Sequence, residues 1–229
     1  MNEREERRTL CPIAYMQSDF PTKFGIPRQS GVVEQLRSRV VFTEEYRVRE
    51  ALRGIEEFSH LWLIWGFSEA YREGWSPTVR PPRLGGNTRV GVFASRSPYR
   101  PNGLGLSCVR LLSVENGALS VAGADLMDGT PIFDVKPYLP YADARPEARG
   151  GFASEPWERT LCVDCPPELL LRLPEEKREA LLGILAEDPR PSYQQEDGRV
   201  YGFPFAGCEV RFSVAGKELT VISVEEEGK

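Results

Sequence analysis

Apolar and polar positions in the first 140 residues change over in short runs bounded by glycine and proline. Leu61 to Phe67 is an unbroken apolar run and Val90 to Ala94 is a second. Leu106 to Val114 and Ala118 to Ala124 form a pair joined through Asn116-Gly117. Asn-Gly between two such runs is a strong hairpin signal, because the favoured tight turn needs positive φ at both central residues. No long amphipathic helix pattern separates the runs, which favours a barrel or sandwich over a doubly wound sheet. The front of the chain is therefore predicted to be mainly β.

The pattern changes across Ala142 to Glu158, a stretch rich in Ala, Pro, Gly and Glu that reads as a linker or long surface loop. Beyond it, Pro174-Glu175-Glu176 followed by Leu181, Leu182, Ile184 and Leu185 predicts one helix, with proline and acids at its positive end. Cys208, Val210, Phe212 and Val214 then alternate with polar residues, Ala215-Gly216 turns the chain, and Leu219 and Val221 resume the alternation. The spacing predicts two units: a β-barrel over residues 1–155 and a small α+β domain over 156–229.

Composition adds little to this and excludes much. Hydrophobic residues at 41% and charged residues at 28% of the 229 are those of a folded protein, so disorder, collagen and coiled coil are set aside. The longest apolar run has seven residues, against the roughly 20 a membrane-spanning helix needs. With no apolar segment behind the charged N-terminus, the expected compartment is the cytoplasm and no membrane partner is expected. Five cysteines scattered over the chain do not make a secreted disulfide framework. Cys162 and Cys165 form a lone CxxC beside a single histidine, His60, too few ligands for a closed zinc site. No metal is expected. His60, at the head of an apolar run, reads first as a strand-end residue with a hydrogen bond.

Charge changes the picture more. The net formal charge is −5, yet Gly74 to Val114 holds Arg80, Arg83, Arg89, Arg96, Arg100 and Arg110 and no acid, so this stretch carries +6 against −11 elsewhere. A cationic face on an acidic protein suits phosphate or nucleic acid.

Three clusters concentrate residues that suit chemistry. The first runs from Val79 through Arg83-Leu84-Gly85-Gly86 and Phe93-Ala94-Ser95-Arg96 to Gly103-Leu104-Gly105-Leu106-Ser107. Glycines permit close backbone approach, prolines fix loops, and planar guanidiniums match carboxylate, phosphate or a base. Gly103 and Gly105 do not make a dinucleotide fingerprint, since Cys108 takes the third position and no helix pattern follows. The second is Asp125-Leu126-Met127-Asp128-Gly129-Thr130-Pro131, continuing to Asp134-Val135-Lys136-Pro137-Tyr138. A phosphatase nucleophile loop has its aspartates two apart, and here they are three apart. The third is Pro27-Arg28-Gln29, held between Gly25 and Gly31.

Together the clusters resemble the TsaA-like family, whose characterised members use S-adenosylmethionine to methylate the exocyclic nitrogen of threonylcarbamoyl-adenosine at tRNA position 37. The resemblance includes Gly54 to Trp62, Val79 to Ser107, Asp125 to Tyr141, and Asp188-Pro189-Arg190-Pro191-Ser192-Tyr193. It implies a β-barrel methyltransferase with a smaller C-terminal domain, a homodimer, and the anticodon stem-loop of tRNA as partner. It implies cofactor contacts at Pro27, Arg28, Gln29, Ser68, Glu69, Arg96, Leu106, Asp128, Gly129, Thr130 and Pro131. The family often has His where Ser68 stands and Pro-Ile where Gly103-Leu104 stand.

Methyl transfer to that nitrogen requires alignment and loss of a proton, for which Asp134 and Tyr138 are the candidate groups. Arg80, Arg83, Arg89, Arg100 and Lys136 are the candidate tRNA ligands, and Tyr99, Tyr138 and Tyr141 are candidates for base stacking. Because the cofactor positions all precede the linker, a barrel lacking residues 158–229 is expected to keep cofactor binding. Two rival readings remain: a non-catalytic RNA or nucleotide-binding module, and a Mg²⁺-dependent hydrolase built on Asp125, Asp128 and Asp134.

Overall fold

The computed structural model describes residues 9–69, 75–154, 160–191 and 196–226. Ser192, Tyr193 and residues 155–158 of the expected linker lie outside them. Six strands form a closed, all-antiparallel barrel: β1 (Ala14–Gln17), β2 (Arg37–Phe42), β3 (His60–Gly66), β6 (Leu104–Glu115), β7 (Ala118–Ala122) and β8 (Pro131–Pro137), in the order β1-β2-β7-β6-β3-β8. Closure leaves no free strand edge. Two short strands, β4 (Thr78–Val79) and β5 (Val90–Gly91), make a separate ribbon.

The expected hairpin is present, with Asn116 at φ 51° and Gly117 at φ 70° between β6 and β7. Alternation along β3 places Leu61, Leu63 and Trp65 inside the barrel, against Met16, Val40, Val109, Leu119 and Ile132. The expected strand over Val90–Ala94 stops after two residues. Its remainder, Val92–Ala94, is a single 3₁₀ turn, because the Val92 carbonyl accepts the Ser95 hydroxyl (2.8 Å) and Arg100 Nη1 (3.3 Å) instead of a ladder partner.

The C-terminal unit is a sheet of β10 (Val200–Phe205), β11 (Cys208–Ala215), β12 (Glu218–Glu226) and β9 (Cys162–Asp164), in that order, with β9 parallel to β12. Among the described residues there are three α-helices, α1 (Pro140–Asp143), α2 (Pro167–Leu170) and α3 (Glu175–Ala186), besides short 3₁₀ turns. On α3, Ala180, Leu181, Ile184 and Leu185 are buried, while Leu182 is half-buried.

The two units share a core. Phe20, Val33 and Leu36, from the segment between β1 and β2, belong to the cluster formed by α3 and the C-terminal sheet, and Ile26 packs on its edge. Polar contacts run alongside. Lys177 pairs with Asp19 (2.6 Å), the Ala206 amide donates to the Asp19 carbonyl (3.0 Å), and Arg28 Nη2 reaches the Arg190 carbonyl (3.4 Å). Gly25 sits at φ 81°, and a Cβ there would lie 2.3 Å from the Phe203 ring, so only glycine allows this approach. The segment between β1 and β2 is thus packed by both units. Without 158–229, three apolar side chains next to the Pro27-Arg28-Gln29 loop lose their burial.

Candidate active-site cleft

The shared segment places the Pro-Arg-Gln loop at one wall of a cleft of about 2200 Å³. Small-molecule sites usually enclose roughly 300–1,000 Å³, so this one has room for a cofactor and a nucleotide substrate together. Pro27, Arg28, Gln29, Ser68, Arg96 and Pro131 all line it, joined by Arg80, Arg83 and Arg100 and by Glu187 to Pro191 from the C-terminal unit. Seven cationic residues face two acids along this lining, and one of those acids, Asp188, is already paired with Arg190 at 2.7 Å.

The loop is tied down from several sides. Arg96 donates to the Gln29 side-chain oxygen, and Gln29 donates to the Arg28 carbonyl. The Ser30 hydroxyl accepts the Cys108 amide (3.1 Å), and the Gly31 amide donates to the Gly123 carbonyl (2.8 Å). Below it runs a chain of bonds: Trp65 Nε1 donates to Ser107 Oγ (3.0 Å), and Ser107 donates to Asp125 (2.5 Å). The Trp65 ring lies over Gly105, where a Cβ would sit 2.3 Å from it. Burial pushes the Asp125 carboxyl up, against the opposing pull of the Ser107 hydroxyl, backbone amides that include that of Ser30, and the Arg96 charge.

The Asp128-Gly129-Thr130-Pro131 turn is anchored to the chain after β1. Asp128 Oδ1 accepts the Ser18 amide (3.0 Å), Thr130 Oγ1 donates to the Met127 carbonyl (2.7 Å), and the Gly129 amide donates to the Met16 carbonyl (2.9 Å). Of this turn only Pro131 lines the cleft. Leu106, 55% exposed, projects from the outer barrel face, while Glu69 and Arg89 are exposed outside the cleft lining. Arg100 does line it, but its Nη1 already donates to the Ser95 carbonyl at 2.7 Å.

Asp134 and Tyr138 are not part of this lining either. A bulge between Ile64 and Trp65 makes Phe133 the extra residue of β8, and Phe133 faces the cleft while Asp134 pairs with Ile64. Leu106 pairs with that same Ile64 from the other side, so Leu106, Ile64 and Asp134 form one cross-strand row. Asp134 is bonded to Lys136 (2.9 Å). Tyr138 packs beside Trp62, ring centroids 5.6 Å apart, and Tyr141 is 84% exposed on α1. His60 is bonded to the Ser59 hydroxyl (2.9 Å). Asp125, Asp128 and Asp134, proposed together for a hydrolase, have separate partners, and no cluster of three or more metal-ligating side chains occurs among the described residues. That reading loses its site.

The sequence reading missed the aromatic side of the cleft, Trp75, Phe93 and Phe152, and the Ser107–Asp125 link. Isolated aromatics give no periodic signal, and a Ser and an Asp eighteen residues apart meet only through the β6–β7 hairpin.

Two domain families match the chain. The tRNA-methyltransferase O N-terminal domain matches residues 15–144, and the TrmO C-terminal domain matches residues 163–227. The tRNA (adenine(37)-N6)-methyltransferase of Escherichia coli is 39% identical over 93% of this chain and 96% of its own length. The Pseudomonas aeruginosa protein RcsF, whose name provisionally places it among S-adenosylmethionine-dependent methyltransferases, is 42% identical over 92% and 94%. A crystal structure of TrmO from P. aeruginosa superposes with a TM-score of 0.82 at 35% identity, covering 99% of this chain and all of that one. No helix among the described residues is long and apolar enough to cross a membrane. The chain belongs to the tRNA-methyltransferase O family.

Proposed function

We propose that this chain transfers a methyl group from S-adenosylmethionine to the exocyclic N6 of adenosine 37 in tRNA, with threonylcarbamoyl-adenosine as acceptor and the anticodon stem-loop as the element recognised. One observation carries the reading: Pro27, Arg28, Gln29, Ser68, Arg96 and Pro131 line the same cleft as Arg80 and Arg83. Six of the cofactor-matched residues and two of the phosphate-matched arginines thus face a single space.

The donor set fits the cofactor. Guanidiniums suit its carboxylate, the Asp128 carboxylate suits its hydroxyls or ammonium, and Leu106 offers exposed apolar surface. Pro27, Arg28, Gln29, Ser68, Arg96 and Pro131 in the cleft are the residues that would hold it, and Glu69, Leu106 and Asp128 to Thr130, outside that lining, would have to reach it from the rim. When bound, S-adenosylmethionine supplies a methyl group activated on a sulfonium. The chain's own contribution is alignment, and fixing reactants in line can lower a barrier by about 7–11 kcal/mol. The tethered Pro27-Arg28-Gln29 loop is pre-set for that task. Asp134, in the same cross-strand row as Leu106, and Tyr138 are the groups proposed to take or orient the acceptor proton. An Asp134→Asn protein with unchanged turnover at saturating tRNA would remove Asp134 from that role.

Arg80, Arg83 and Arg89 are the proposed phosphate ligands, Lys136 extends the set, and Arg100 braces the Val92–Ser95 turn that follows them. A homodimer would lengthen this cationic surface on a chain whose net charge is −5. Labelled cofactor incubated with tRNA bearing or lacking the threonylcarbamoyl group, followed by nucleoside mass spectrometry, tests the reading. Methyl label on the modified nucleoside is expected. Cofactor binding with no label on either tRNA would overturn it.

A further inference from the structure

Five exposed aromatic side chains line the basic cleft: Phe24 at 46%, Trp75 at 52%, Phe93 at 70%, Tyr99 at 42% and Phe152 at 39%. Exposed apolar surface gathered at one site marks an interaction surface. Two of these rings are organised. Trp75 and Phe93 stack with centroids 6.0 Å apart and planes 30° from parallel, and the Arg100 guanidinium lies 5.9 Å from the Phe93 centroid.

Phe93 is held outward by the same bonds that interrupt the strand there. Val92 is fully buried, and its carbonyl is held by Ser95 and Arg100, so the single turn Val92–Ala94 has one anchored side and presents Phe93 on the other. Fixing a large apolar ring in solvent does nothing for the core. It does reduce the ordering cost of binding a flat ligand.

Charge decides which ligand. The segment from Trp75 to Val114 contains no acid, and Arg80 and Arg83 share the cleft with the two rings. Aromatic rings beside cations that follow a phosphate backbone are the combination that binds unpaired nucleic acid. A second copy meeting this patch face to face would set arginines against arginines. We propose that Trp75 and Phe93, braced by Arg100, form a stacking platform for an unpaired base of the RNA substrate. This rests on the tRNA reading above and specifies how the loop is gripped.

The test uses the full chain and an anticodon stem-loop RNA with 2-aminopurine placed in turn at each unpaired position. At one or more positions fluorescence should be quenched by the parent protein and restored in Phe93→Ala. Affinity for the RNA should fall roughly 5- to 150-fold in that variant, the range for loss of one stacked base, with the slope of log affinity against log salt unchanged. Phe93→Trp should restore both readouts, which a folding defect would not allow. Unchanged RNA affinity and quenching in Phe93→Ala, while the parent still methylates tRNA, would overturn the platform and leave the proposed reaction standing. Weakened RNA binding in Phe93→Ala, beside a parent that transfers no methyl group, would keep the platform and overturn the reaction. If Phe93→Ala splits a dimer in light scattering and leaves RNA affinity unchanged, the patch is an interface between copies and the platform is wrong.

Discussion

The barrel fills its interior with side chains from its own strands and flanking turns, whereas the C-terminal sheet fills its core partly with Phe20, Val33 and Leu36 from the front of the chain. The difference assigns the two units different jobs. One is a closed scaffold, and the other is a clamp on the segment that carries Pro27, Arg28 and Gln29. Because fully burying a Leu, Val or Phe side chain contributes about 1.5–3 kcal/mol, those three side chains bind the units together firmly.

Truncation should break the comparison most severely. A chain ending at residue 157 is expected to aggregate and to lose S-adenosylmethionine binding, measured by size-exclusion chromatography and calorimetry. A soluble truncated barrel with parental affinity would show that the clamp is unnecessary. A milder cut at the same place is Leu36→Ala, which should lower stability by about 2–5 kcal/mol in urea unfolding, since it leaves a cavity between the units.

Asp125 sharpens the comparison within the barrel. Its folded carboxyl titrates above the ordinary value of 3.8, chiefly because it is buried, so the folded state keeps this proton to higher pH than the unfolded state does. The contribution to stability is therefore fully present below 3.8 and is lost as pH rises through the raised value. Asp125→Asn should flatten that part of the pH profile, visible as a stability difference between parent and variant that changes with pH in urea melts. An identical pH profile in both proteins would contradict the burial argument. The smallest effect belongs to the Lys177–Asp19 pair, whose side chains are 21% and 16% exposed. Lys177→Ala should cost about 1 kcal/mol, lessened in high salt.

What the sequence disclosed follows the same division. α3 and β11 were legible because a single buried face sets their period, and β3, β6 and β7 because they are apolar runs bounded by turn residues. β1 has only four residues, β8 begins and ends with proline, and β9 has three residues, so their pairing comes from closure of the sheets and not from local preference. Of the cleft lining, Arg28, Gln29 and Arg96 stand in motifs that local sequence displays. The outward Phe93 and the contribution of Asp188 to Pro191 to the cleft depend on how loops distant in sequence fold together, which no local spacing encodes.

The clamp is tested most directly at Phe203. This side chain is 2% exposed in the C-terminal core, is not among the residues matched to the cofactor, and packs against Gly25 at the start of the Pro27-Arg28-Gln29 loop. Calorimetric titration of S-adenosylmethionine into full-length Phe203→Ala, well below its melting temperature, should show affinity reduced at least about fivefold, roughly 1 kcal/mol. Leu119→Ala, a barrel-core control, should lower the melting temperature and keep parental affinity. Parental cofactor affinity in Phe203→Ala, with only the melting temperature lowered, would contradict the claim that the C-terminal unit holds the proposed cofactor loop in place.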